Sequence, residues 1–128
     1  MEFAYCSSLY SSLDSVKKSI DEILRELSKK ISDEDDLFDI KLILTELIVN
    51  GVFHGNKCDL KKMVNIDISI IDQRIRIKVT DEGEGIDYNI SSYDPLKLKS
   101  SGRGLVIVNG LSDELIFKDN SITAVKSI

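Results

Sequence analysis

At Met63 the spacing of apolar residues changes from three and four to two, and this change confines the chain to helices packed on a sheet. Before it, Leu13, Val16, Ile20, Ile23, Leu24, Leu27 and Ile31 recur at helical intervals with charges between them, which predicts an amphipathic scaffold helix. A second helix starts in Ser32-Asp33-Glu34-Asp35-Asp36, where an N-cap candidate precedes an acidic first turn. It runs to about His54, and Gly55-Asn56 ends it. Its apolar residues, among them Leu37, Ile40, Ile43, Leu44, Leu47, Ile48 and Val52, cover more than one face, as suits an element held between a sheet and another layer. After Met63, Val64, Ile66, Ile68 and Ile70 alternate with polar residues, and beyond an Asp72-Gln73 turn Ile75, Ile77 and Val79 do the same. The two runs form a hairpin with one buried face.

The remaining segments are shorter. Residues 2–6 read as a brief opening strand, followed by a serine-rich turn. The hairpin ends in Asp81-Glu82-Gly83-Glu84-Gly85-Ile86-Asp87, and a polar stretch to about Ser101 follows that holds the only proline, Pro95; at that length it is expected to be a lid or binding loop, over about 86–101. Gly102-Arg103-Gly104 opens an apolar run read as a helix to about Leu111. Strands near Glu114–Lys118 and Ile122–Lys126 close the chain around Asp119-Asn120. With no repeat or linker, residues 1–128 are expected to form one domain.

Composition narrows the function. Acidic residues outnumber basic ones 22 to 17, for a net charge of −5, and no Lys/Arg block is present. Direct nucleic-acid binding or attachment to an anionic membrane is therefore not expected. One histidine and two distant cysteines, Cys6 and Cys58, argue against a zinc site. No apolar run approaches the roughly 18 residues of a membrane span and no leader pattern opens the chain, so a cytoplasmic protein with reduced thiols is expected.

Within the second helix, Glu46 and Asn50 are one turn apart and project from one face, with His54 a further turn along. Two readings stand at this point. The stripe faces solvent on an ordinary amphipathic helix, or it faces a cavity in which Glu46 takes a proton and the Asn50 oxygen ligates Mg²⁺. His54 beside Gly55 reads as a C-terminal cap and is left out of the chemistry.

Two glycine clusters sit at transitions between elements. In Asp81-x-Gly83-x-Gly85 a carboxylate at a strand end can accept from an exocyclic amine such as that of adenine. In Gly102-Arg103-Gly104 a helix N-terminus turns free N–H groups outward, a geometry that favours phosphate, which Arg103 can also meet. Neither cluster is a P-loop or a dinucleotide fingerprint, and each alone is an ordinary turn or cap. Their order, after the Glu46/Asn50 helix, is what carries information.

In that order, Glu46-Leu47-Ile48-Val49-Asn50, Asp81-Glu82-Gly83-Glu84-Gly85 and Gly102-Arg103-Gly104 resemble the N, G1 and G2 boxes of the GHKL superfamily of ATP-binding domains, over nearly the whole chain. Asn50-Gly51-Val52-Phe53-His54-Gly55 and the small size look most like the bacterial anti-sigma factor serine/threonine kinases. The resemblance implies an α+β fold, a two-layer α/β sandwich of Bergerat type with a mixed, mainly antiparallel sheet and helices on one face. It implies ATP and Mg²⁺ as cofactors, with Glu46 as general base or its orienter, Asn50 as metal ligand and Asp81 as the adenine contact. Gly83 and Gly85 would form the turn beneath the nucleotide, and Gly102, Arg103 and Gly104 would approach the phosphates. It implies a homodimer that sequesters a sigma factor and phosphorylates an anti-sigma antagonist protein. Two other functions stay open: an ATP-binding module that captures a partner without phosphoryl transfer, and a detached histidine-kinase catalytic domain.

Overall fold

The computed structural model describes residues 2–57, 59–83 and 103–128; the expected lid over 86–101, Gly85 and Gly102 lie outside the described residues. In chain order the elements are β1 (Phe3–Tyr10), α1 (Leu13–Ser28), α2 (Glu34–Val49), a π-helical turn (Asn50–Gly55), β2 (Met63–Ile71), β3 (Arg74–Thr80), α3 (Arg103–Leu111), β4 (Glu114–Lys118) and β5 (Ser121–Ser127). The strands form one sheet in the order β1-β2-β3-β5-β4, and each described pairing is antiparallel. The fold is α+β, as expected, with no parallel pair among the described strands.

Local chemistry explains most boundaries. The Ser12 hydroxyl caps α1 by accepting from the Ser15 N–H, and Asp33 caps α2 by accepting from Asp35 and Asp36, with three acidic residues in the first turn. The β2–β3 hairpin turns through Asp72 and Gln73, both left-handed at φ 52 and 63, the two-residue turn whose twist matches the strands it joins. Ile31 lies past the end of α1, yet its N–H reaches Leu27 and its side chain stays buried, so the helical spacing outlasts the helix.

β1 is longer than the five residues expected. Its full length pairs with β2, from Phe3 opposite Ile70 to Tyr10 opposite Met63. Serines weaken the local strand signal, but Ser8 donates to Asn65 and Cys6 to Asp67 across the pair, and Leu9 is buried. Cross-strand pairing overrides local preference here.

The core lies between the sheet's inner face and the helices. Val64, Ile66, Ile68, Ile70, Ile75, Ile77 and Val79 supply the sheet side. Val16, Ile20, Ile23 and Leu27 of α1, with Ile40, Ile43, Leu44, Leu47 and Ile48 of α2, cover it. α2 is the central element: it packs against α1, α3 and β3 and is apolar on most sides, as the spread of its hydrophobic residues predicted. At its far end Lys126 of β5 ties it to α3, pairing with Asp39 at 3.5 Å and donating to the Leu111 carbonyl at 3.3 Å. Among the described residues no helix is long and apolar enough to cross a membrane.

Candidate functional site

Glu46 lies in the last turn of α2, and the Asn50 N–H donates to its carbonyl, so the two side chains leave the helix one turn apart, as the spacing required. Glu46 is half-buried and Asn50 is only 6% exposed. Among the described residues neither side chain has a hydrogen-bond partner.

Beyond Asn50 the helix widens. Residues 50–55 form a π-turn in which the Asn56 N–H bonds the Gly51 carbonyl, five residues back. Such turns occur frequently at functional sites. This one sets Gly55 directly against Asp81.

Asp81 follows the last residue of β3. Its carboxylate packs on Gly55, where a Cβ would overlap the carboxyl atoms, and Gly83 packs in turn on the Gly55 carbonyl, again with no room for a Cβ. Gly83 donates its N–H to Asp81 Oδ1 at 2.8 Å. Burial pushes the Asp81 carboxyl above its usual value, and the Gly83 bond and the nearby Lys62 charge pull the other way. A partly desolvated carboxylate with one oxygen engaged by the backbone can receive an amine donor on the other.

At α3, Gly104 sits against Glu46: a Cβ there would collide with Oε2 and crowd Cδ at 2.8 Å. Arg103 is the first residue of α3. The first turn of α3 therefore meets the carboxylate of α2, and two of the three sequence clusters touch through Gly104. The other contact, Gly55 on Asp81 and Gly83, joins the end of the same helical run to the second cluster. In both joints glycine is needed for space between protein groups. None of the three has a left-handed φ, so conformational freedom is not the reason.

Two positioning residues were not legible as such. Asn56 was read as a helix terminator, yet it is 1% exposed and ties three segments together. Its Nδ2 donates to Ser11 Oγ at 3.1 Å and to the Met63 carbonyl at 2.9 Å, and its Oδ1 accepts from the Glu82 N–H at 2.7 Å. Asn120, read as a hairpin turn, accepts from the Asp81 N–H at 3.0 Å through its carbonyl and donates Nδ2 to the Gly83 carbonyl at 2.6 Å. The only sequence signal for either is an asparagine in a turn, which is too common to distinguish them.

The donor set fits a nucleotide with a hard metal ion. Among the described residues no cluster of three or more His, Cys, Asp or Glu could hold a metal by itself. Mg²⁺ does not need one, because it keeps several waters and is usually held by one or two protein oxygens plus phosphates. Asn50 and Glu46 offer oxygens one helical turn apart, and Asp81 offers an acceptor at the other end of the run from Glu46 to Gly55.

Comparison with known proteins identifies the family and the fold. A family model described as histidine kinase-like ATPase domain matches residues 9–126. Over 86 residues the chain is 35% identical to an anti-sigma F factor of Clostridium perfringens, covering 63% of this chain and 61% of the relative. Over 100 residues it is 31% identical to the serine-protein kinase RsbW of Staphylococcus epidermidis, covering 70% and 63%. The matches thus span about three-fifths of the length of those curated relatives. The crystal structure of the RsbU and RsbW domains of Rv1364c from Mycobacterium tuberculosis superposes with a TM-score of 0.65 at 21% identity, covering 98% of this chain and 31% of that one, a likeness of fold. With a family model spanning nearly all of it, the chain belongs to the histidine kinase-like ATPase domain family.

Proposed function

We propose that this protein is an ATP- and Mg²⁺-dependent protein serine/threonine kinase that acts as an anti-sigma factor, binding a sigma factor and phosphorylating an anti-sigma antagonist. The observation that carries the reading is the Glu46 carboxylate lying against Gly104, with the buried Asn50 amide, which has no partner among the described residues, one turn along. The names of the relatives, an anti-sigma F factor and a serine-protein kinase, support the substrate and partner classes.

Bound Mg²⁺-ATP would supply the phosphoryl group and neutralise part of its charge. Everything else falls to the chain. Asp81 accepts from the purine amine; Gly83 and Gly85 form the turn beneath the base; Asn50 ligates the metal. The first turn of α3, with Gly102, Arg103 and Gly104, meets phosphate oxygens through free N–H groups and a cation. Glu46 takes the proton from an attacking serine or threonine hydroxyl. We further read residues 1–128 as one domain with a lid over 86–101, working as a cytoplasmic homodimer with no direct contact to nucleic acid or membrane.

The test is transfer of label from γ-labelled ATP to the candidate antagonist. Wild type is expected to transfer label, Glu46→Gln to bind ATP without transferring it, and Asn50→Ala to lose Mg²⁺-dependent binding. No transfer by wild type under conditions where ATP binds would overturn the kinase assignment and leave a nucleotide-gated binding module. Label recovered as acid-labile phosphohistidine would instead identify a histidine-kinase catalytic domain.

A further inference from the structure

The Asp81 carboxylate sits at the end of β3, followed at once by a glycine-containing turn, where a chain left to itself is loosely oriented. Discrimination by a carboxylate depends on direction. A group that accepts from a 6-amino purine repels a 6-oxo purine only while it is held facing that position, since a carboxylate free to swing aside finds water instead.

Besides the Met63 N–H, which donates to the Glu82 carboxylate, three hydrogen bonds from outside the turn restrain it. Asn56 Oδ1 holds the Glu82 N–H from the α2 side, and the Asn120 carbonyl holds the Asp81 N–H at 3.0 Å, extending the β3–β5 ladder one step beyond Thr80 opposite Ser121. The third is the Asn120 Nδ2 bond to the Gly83 carbonyl, at 2.6 Å. Gly83 is also the residue whose N–H engages Asp81 Oδ1. The two faces of Gly83 are thus used at once: its N–H sets the carboxylate, and its carbonyl is set by Asn120. Among the described residues no other side chain bonds Gly83. The turn that presents Asn120 is itself held in register, with Asp119 left-handed at φ 51 and the Ser121 hydroxyl bonded to the Lys118 carbonyl.

We propose that Asn120 is a positioning residue for base selectivity: its side-chain amide fixes Gly83, Gly83 fixes the Asp81 carboxylate, and the fixed carboxylate selects a 6-amino over a 6-oxo purine nucleotide. This rests on the nucleotide reading above and adds a residue to it that lies in the β4–β5 turn, outside all three sequence clusters. Asn120 itself touches no ligand. Removing its amide leaves the α3 end of the site unchanged, so the loss falls on recognition of the base.

The test compares ATP with inosine triphosphate, which differs at the 6-position, by equilibrium binding to wild type, Asn120→Ala and the near-isosteric Asn120→Asp, with thermal melts of each. Wild type is expected to prefer ATP. In both variants ATP affinity should fall about tenfold, the loss of one well-placed hydrogen-bonded contact, with inosine triphosphate affinity changed less than about threefold, so the preference shrinks. A purely structural role would weaken both nucleotides together. That result, or an unchanged preference in folded variants, overturns the assignment while leaving the nucleotide site standing. Failure of wild type to bind either nucleotide overturns the site reading and this inference with it.

Discussion

Replacing Asn56 by alanine tests whether the site is held by buried polar contacts or only by the hydrophobic core beneath it. The side chain is 1% exposed and makes three hydrogen bonds, to Ser11, Met63 and Glu82, each on a different segment. At about 1 kcal/mol per bond, and with partners that water cannot fully re-satisfy, the loss is about 3 kcal/mol. For a chain of 128 residues that lowers Tm by about 12 °C, at about 4 °C per kcal/mol. Urea denaturation followed by circular dichroism measures it, with the midpoint shifted and the slope unchanged if the native state stays compact. Asn56→Asp keeps the acceptor for the Glu82 N–H but turns a carboxylate toward the Met63 carbonyl, so it should be at least as damaging. Exposed Asn109 is the control, and Asn109→Ala should move stability by less than about 0.5 kcal/mol. If Asn56→Ala costs under about 1 kcal/mol, the three contacts are not cooperating as the geometry requires.

Two further substitutions read the site directly. Gly104→Ala drives a methyl group into the Glu46 carboxylate; phosphoryl transfer should fall at least tenfold in a labelled-ATP assay, or ΔΔG‡ of about 1.4 kcal/mol. Gly51→Ala instead meets Val64 and Val79 at 3.4–3.6 Å, ordinary contact inside a helical turn, and should leave transfer intact while raising Tm slightly. Asp81→Asn should abolish ATP binding yet stabilise the free protein at pH 7. Its carboxyl is raised by burial, so the folded state holds the proton more tightly than the unfolded chain, and the penalty for ionising it is fully present above the raised value. The gain in Tm should shrink as pH falls and vanish near the ordinary carboxylate range, about 4, as seen in melts across pH. By the same sign, ATP affinity of wild type should weaken at a higher pH than an exposed aspartate would dictate.

What the sequence determined by itself are the properties that depend on near neighbours. The helical spacing up to Val52 and the alternation of Val64 to Val79 produced α1, α2, β2 and β3 where they were expected, because burial of one face is decided by residues two to four positions apart. The Asp33 cap and the Asp72-Gln73 turn are local chemistry of the same kind. The order of the three clusters was also legible, and with it the family.

The tertiary structure decided which of those groups meet. That Glu46 meets the first turn of α3 depended on α3 returning to lay Gly104 on it, a contact between residues distant in the chain that no periodicity encodes. The reason for the glycines changed as well, since Gly55, Gly83 and Gly104 make room for protein carbonyl and carboxyl groups. Asn56 and Asn120 gained their roles only through partners on other segments, and β1 gained its length from pairing with β2. The physical reason is common to all of these: a buried hydrogen bond or a close backbone approach is a property of two surfaces brought together by the core, and the sequence of either surface alone does not contain it.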